Sequence, residues 1–305
     1  MLTSDERILT THTGSLPRPR RLAELHGRRS RGDAVDRDEF DRGVTDATAQ
    51  VIAAQVDAGI DVGNDGEQAR ESFVTYVQHR MTGFGGTGER TEKRDLLDHP
   101  DFMELTRNRR GQVSLMAAPA AISDVTYRDT TEVEAECDLI AGAPFGETFM
   151  TAASPGIVVS VLQNRYYQTA AQYLQAVAAA LSVEYRCIVE HGLLLQVDAP
   201  DLALERHQLF AGRPLREFID WAELSVDALN LALQGIDASR VRLHVCWGNY
   251  EVPTPTTWPL MTSCRSCTGP TSGVWWCRWP TPATLMRSTA LPANRCRKAG
   301  SWWRA

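Results

Sequence analysis

Between residues 8 and 246, short apolar runs alternate with long helical patterns, and several runs end on a polar residue. This alternation limits the chain to few folds. Ile8–Thr13 is strand-like and stops at Gly14. Val44, Ala47, Val51, Ala54 and Ala58 recur at helical spacing, and Gly59 ends that run. Further strands are expected at Ile60–Gly63, Gln112–Ala117, the β-branched stretch Ile157–Leu162, Leu193–Asp198 and Val241–Cys246. Thr169–His191 reads as a long amphipathic helix, and Trp221–Leu233 as another. Arg28–Asp33 reads as a solvated loop. Strand–helix repetition implies parallel pairing with right-handed crossovers. Apolar strands with polar C-terminal ends favour an α/β fold of the (β/α)8 TIM-barrel type over an open doubly wound sheet. The glycine-rich run Gly83–Gly88 follows Val74–His79 without a clear strand–turn–helix context, so it reads as a loop rather than a phosphate cradle.

Composition breaks the 305-residue chain in two. Residues 1–251 carry 25 basic and 38 acidic side chains, whereas residues 252–305 carry seven basic and no acidic ones. The tail holds six of eight Trp, four of seven Cys and seven of fifteen Pro. Residues 1–251 are therefore read as the barrel's first six βα units. Residues 252–305 are read as an aberrant tail with no helical or strand period, expected to be largely disordered. A net charge of −6 argues against nucleic-acid binding. No apolar run reaches the ~18 residues of a membrane span. No secretory leader is visible, so a cytoplasmic location with reduced thiols is expected.

Four strand ends carry candidate chemistry, because a barrel gathers its site there. Gly14 and Ser15 offer a flexible turn and a hydroxyl for an anion, although taken alone the motif reads first as an ordinary turn. Glu67, in Asn64–Gln68, can hold an ammonium group or carry a proton, or simply favour a helix N-terminus. Asp198, after five mostly apolar residues, can act as a general acid or cap the next helix. His244 and Cys246 point to one side of a strand and make half of a tetrahedral zinc site, although each is also a common core residue.

Together, Thr10–Pro17, Asp65–Glu67, Gln196–Pro200 and His244–Tyr250 resemble the C-terminal catalytic barrel of cobalamin-independent methionine synthase. They also resemble its short relatives, which include the epoxyalkane:coenzyme M transferases. The resemblance implies zinc-dependent methyl or alkyl transfer to a small-molecule thiol from an alkyl donor. By it, His244 and Cys246 match the first two zinc ligands. Ser15 matches the residue that steadies the thiol's acidic end, and Glu67 and Asp198 match acids that hold its amine. The family's later Glu and Cys ligands have no counterpart after Glu251. Codons for Val252–Thr257 can be chosen so that a displaced frame reads Pro-His-Pro-His-Asp-Val, which resembles the family's histidine-rich downstream segments. A frameshift and a barrel lacking its last two βα units follow as expectations. Cys264 and Cys267 form a C-x-x-C that would complete a Cys3His set, but chance in a Cys-rich tail accounts for it. Two further readings are a catalytically dead remnant and a metal-free barrel related to uroporphyrinogen decarboxylase. The H-x-C pair argues against the latter.

Overall fold

The computed structural model describes residues 1–4, 6–88, 100–101, 104 and 118–246, and the backbone of 274–278. Helices α1 (Arg20–Ser30) and α2 (Arg37–Asp57) precede β1 (Val62–Gly63) and a short α3 (Val77–Arg80). A small antiparallel pair, β2 (Phe84–Gly85) and β3 (Ala120–Ala121), follows. The chain continues through α4 (Thr131–Ile140), β4 (Glu147–Ala153), α5 (Pro155–Val161), α6 (Ala170–Glu190) and β5 (Leu194–Asp198). It then forms α7 (Asp201–Leu204), α8 (Leu215–Ala232), β6 (Val241–Cys246) and β7 (Val274–Arg278). The main sheet is parallel throughout, in the order β1-β4-β5-β6-β7. Among the described residues no helix is long and apolar enough to cross a membrane.

Strand parity divides the sheet into two faces. Met150, Ala152, Leu195, Val197, Val241, Leu243 and Val245 join the main core with α5, α6 and α8. The other face carries Phe149 and Thr151 on β4, Leu194, Gln196 and Asp198 on β5, and Arg242, His244 and Cys246 on β6. Its lowest layer is apolar: Val62, Phe149 and Leu194 cluster, with Met1 packed against them. Its upper layers are polar. Thr11 forms an isolated parallel bridge to Val62, so an extended segment lies beyond β1 in the place of a first strand, where the sequence predicts a full one over Ile8–Thr13. Arg242 nevertheless donates to Thr11 Oγ1 at 3.4 Å. A flat sheet would hold that segment about 19 Å from β6, so the sheet curls until the two face each other.

Several sequence expectations need correction. Ile157–Leu162 is not a strand, because Ser154 caps a helix there by accepting the Ile157 N–H at 3.1 Å, and Pro155 opens its first turn. Its β-branched content reflects complete burial of α5, and the strand is the preceding β4. Val74–His79, read without a strand–turn–helix context, indeed runs through turns into α3. Arg28–Ser30 belong to α1, with the turn beginning at Arg31. Within the tail, Val274–Arg278 pairs in parallel with β6 as β7, against the expectation of no strand period. Main-chain groups along β6 need partners, and a ladder asks for no side-chain pattern. Gln112–Ala117 and the remainder of 247–305 lie outside the described residues. Elsewhere the sequence marks hold: Thr169 and Gln172 form a capping box for α6, and Gly192 follows it with φ +79°.

A buried ionic cluster ties the helices to β4. Arg70 Nε and Nη2 donate to Glu136 Oε2 at 3.0 and 2.8 Å, and Nη1 donates to the Thr151 carbonyl at 2.6 Å. Arg80 pairs with Glu136 and, at 3.2 Å, with Glu184. The Tyr76 and Tyr127 hydroxyls donate to Glu184 at 2.5 and 2.7 Å. Both guanidinium groups lie over the Tyr76 ring, at 4.4 and 4.7 Å. Two cations thus meet two anions where water cannot screen them. Removing one member strands the rest, so Glu136→Ala is expected to lose about 3–5 kcal/mol of unfolding free energy, read by urea denaturation.

Candidate active site

The extended segment bridged to β1 at Thr11 leads into His12, whose ring Nε2 donates to the Gly14 carbonyl at 2.9 Å. Gly14 turns the chain with φ +91°, which brings Ser15 to the rim. Beyond β1, Gln55 grips the Asn64 backbone from both sides, at 2.7 and 3.2 Å. The Asn64 side chain accepts the Gly66 N–H at 2.7 Å, and Asp65 accepts the Glu67 N–H at 3.0 Å. These two Asx turns drive the backbone left-handed at Gly66 (φ +61°) and Glu67 (φ +58°). A Cβ on Gly66 would sit 2.9 Å from Leu16 Cβ, so position 66 has no room for a side chain.

This backbone sends the Glu67 carboxyl to Ser15, whose hydroxyl donates to Oε2 at 2.6 Å. Oε1 is buried without a hydrogen-bond partner. Burial, followed by the charges of Asp198 and Asp65, pushes the Glu67 carboxyl up to about 7, while Ser15 and Arg70 act in the opposite direction. The Asp198 contribution places β5's last residue in the same pocket.

β5 and β6 present a grid of four polar residues, with Gln196 beside Arg242 and Asp198 beside His244 one layer higher. Gln196 Nε2 donates to Asp198 Oδ1 at 2.8 Å, and His244 Nδ1 meets the same oxygen at 3.1 Å. A carboxylate only accepts, so Nδ1 is the donor in this contact. His244 Nε2 is buried without a partner. Cys246 follows on the same strand face, half-buried and outside any disulfide. Arg242 lies over the Phe149 ring at 3.5 Å; burial lowers its pKa to about 10 against the pull of Asp198 and Glu147.

Ser15, Glu67, Asp198 and His244 thus gather at one end of the sheet, Gly14 supplies the turn and Cys246 the rim of β6. Among the described residues no group of three or more His, Cys, Asp or Glu is placed to hold a metal. The Cys264–Cys267 pair lies outside those residues. The sequence assigns no role to Gln196, Arg242 and Arg18, and marks Asp65 only as the acid that flanks Gly66 opposite Glu67. Period-two counting back from Asp198 and His244 marks the first two.

The family model described as "Cobalamin-independent synthase, Catalytic domain" matches residues 8–95, which hold Gly14, Ser15 and Glu67. Methionine synthase from Sulfolobus acidocaldarius is 26% identical over 256 residues, 83% of this chain and 66% of that protein. The Saccharolobus solfataricus enzyme is 25% identical, over 81% of this chain and 64% of its own length. The chain therefore spans just under two thirds of these relatives. A B12-independent methionine synthase from Shewanella sp. W3-18-1, solved with selenomethionine, superimposes with a TM-score of 0.57 at 20% identity, covering 79% of this chain and 62% of that one. A putative vitamin-B12 independent methionine synthase from Listeria monocytogenes gives 0.53 at 12% identity, covering 80% and 68%.

The chain resembles the cobalamin-independent methionine synthase catalytic domain. Its fold is an α/β fold with a parallel sheet like that of the TIM-barrel synthases.

Glu67 gives this methionine-synthase-like pocket a measurable signature. It binds its proton more tightly in the fold, near 7, than at its ordinary value of 4.5. Its favourable contribution is complete below about pH 4.5 and is lost as pH rises through 7, an effect of up to about 3 kcal/mol. Asp201, another buried acid pushed up to about 7, behaves alike, so the comparison must be made within one position. Glu67→Gln is expected to raise unfolding free energy at pH 8 by up to about 3 kcal/mol and to leave it unchanged at pH 4, read by urea denaturation at both values.

Proposed function

We propose that residues 1–251 are the body of a zinc-dependent alkyltransferase, which moves a methyl or other alkyl group onto a small-molecule thiol. The observation that carries this reading is His244. Its Nδ1 proton is held by Asp198 while its buried Nε2 has no partner, and Cys246 stands on the same strand face. A metal-ligating histidine characteristically gives its other nitrogen to a carboxylate. The imidazole and thiol fit zinc as two of four ligands. When bound, zinc would hold the substrate sulfur as a thiolate, a stronger nucleophile than the thiol.

The chain's own residues supply binding and orientation. Gly14 and Ser15 receive the acidic end of the thiol substrate. Glu67 and Asp198 hold its amine, with Glu67 Oε1 buried and open to a donor. Gln196 fixes the Asp198 carboxylate against His244. A metal-free, decarboxylase-like reading gives the unpartnered His244 Nε2 nothing to do.

Residues 252–305 are read as the product of a displaced frame. This chain then lacks the Glu and Cys ligands that the family resemblance implies, and its alkyl-transfer activity is lost. Zinc titration against a chromophoric chelator tests both statements. The chain as it stands should bind zinc weakly, and His244→Ala or Cys246→Ser should abolish binding. A gene corrected after codon 251 should bind one equivalent tightly and regain thiol alkylation. One tight equivalent in the uncorrected chain, lost in a Cys264→Ser/Cys267→Ser variant, would overturn the displaced-frame account.

A further inference from the structure

Glu67 is the one non-glycine residue with positive φ among the described residues. A left-handed glutamate is strained, and such strain persists only where its surroundings over-determine it. Three bonds do so here. Asp65 holds its N–H, Ser15 holds its carboxyl, and Arg18 Nη2 donates to its carbonyl at 2.6 Å. The same Nη2 also donates to the Arg70 carbonyl at 2.6 Å. Arg18 therefore anchors the C-terminal end of the left-handed turn, tying the Glu67 carbonyl to that of Arg70, whose N–H also donates to the Glu67 carbonyl at 3.2 Å.

The arginine is itself held at a cost. Burial lowers its pKa, opposed by the charges of Glu67, Asp65 and Glu71, and its Nε is buried without a hydrogen-bond partner. Pro17 and Pro19 flank it and restrict the backbone that carries it. Two further bonds stitch its loop to the turn: Leu16 N–H donates to the Gly66 carbonyl at 3.0 Å, and Gln68 Nε2 donates to the Leu16 carbonyl at 3.1 Å. With those bonds supplying loop-to-turn cohesion, a buried guanidinium is superfluous unless the position of Glu67 itself matters.

We propose that Arg18 is a positioning residue: by clamping the carbonyls of Glu67 and Arg70 it keeps the Glu67 carboxyl inside the pocket, facing Asp198. This deepens the proposed function, because it rests on Glu67 being the group that meets substrate. Without the clamp the turn relaxes to an ordinary backbone and the carboxyl turns towards water.

Stability against pH tests this without metal or thiol. The groups facing Glu67 are Ser15, Asp65, Arg70, Asp198 and Arg18 itself. All but Arg18 are kept in every variant, and loss of the Arg18 charge alone would enlarge the Glu67-dependent fall, the opposite of the outcome expected here. In the wild-type background, Glu67→Gln removes part of the fall in the urea midpoint between pH 5 and pH 8. In an Arg18→Met background the same substitution is expected to change that fall by nothing, because Glu67 has already left the pocket. Arg18→Lys, which keeps a charged donor, is expected to restore part of the difference. If Arg18→Met leaves the Glu67-dependent fall intact and lowers stability equally at all pH values, Arg18 is structural and the proposal is wrong. Should Arg18→Met not fold, Arg18→Gln, too short to span both carbonyls, gives the same comparison. Zinc affinity reads His244 and Cys246 and should stay within about twofold of wild type in Arg18→Met. Failure of the alkyltransferase reading would appear in that measurement, whereas failure of the clamp would appear only in the pH comparison.

Discussion

The hydrogen bond between Asp198 and His244 is the interaction on which the pocket turns. It joins adjacent strands at their C-terminal ends, fixes the imidazole ring and decides which nitrogen is open. It exists because β5 and β6 run parallel in a register that sets Asp198 directly beside His244. That register follows from a sheet buried on both faces, with Leu195, Val197, Leu243 and Val245 committed to the helices. The alternate residues must then point inward, whatever their polarity. One layer lower, Gln196 donates to Asp198 and Arg242 reaches across to Thr11.

The pocket is held against its own preferences. Glu67 sits in a backbone region that suits glycine, and its carboxyl lies near a second acid where water is scarce. A chain selected for stability alone would place glycine and an apolar side chain there. The opposing stabilisation comes from elsewhere. The Arg70–Glu136–Arg80–Glu184 cluster secures α3, α4 and α6 around β4, and the apolar floor of Val62, Phe149 and Leu194 closes the opposite end of the pocket. Arg70 takes part in both systems, since its side chain serves the cluster while its carbonyl accepts from Arg18.

How much of this was legible in the sequence depended on whether the signal was local. Thr169 with Gln172 announces α6, and the alternation in Leu194–Asp198 and Val241–Cys246 announces β5 and β6, because caps and parity act over a few residues. Ser15, Glu67, Asp198 and His244 were legible as a set because each ends a strand in a fold that gathers strand ends. Ile157–Leu162 misled because burial of a whole helix produces the same β-branched richness as a buried strand, and only Ser154–Pro155 separates the two. The ionic cluster was illegible because its members are scattered from Arg70 to Glu184 and meet only when the helices pack. Glu184 alone left a trace, as an acid on the buried stripe of α6 between Leu181 and Ile188. The left-handed turn at Glu67 could not be read, since a glutamate gives no sign of the φ its neighbours impose.

The two-faced strands have an evolutionary consequence. One residue inserted within β5 would turn Gln196 and Asp198 towards the helices and bring Leu195 and Val197 inward, inverting the pocket's polarity in a single event. Descendants of this chain can alter their chemistry by exchanging inward side chains in place, whereas changes of length are confined to the loops that follow the strands.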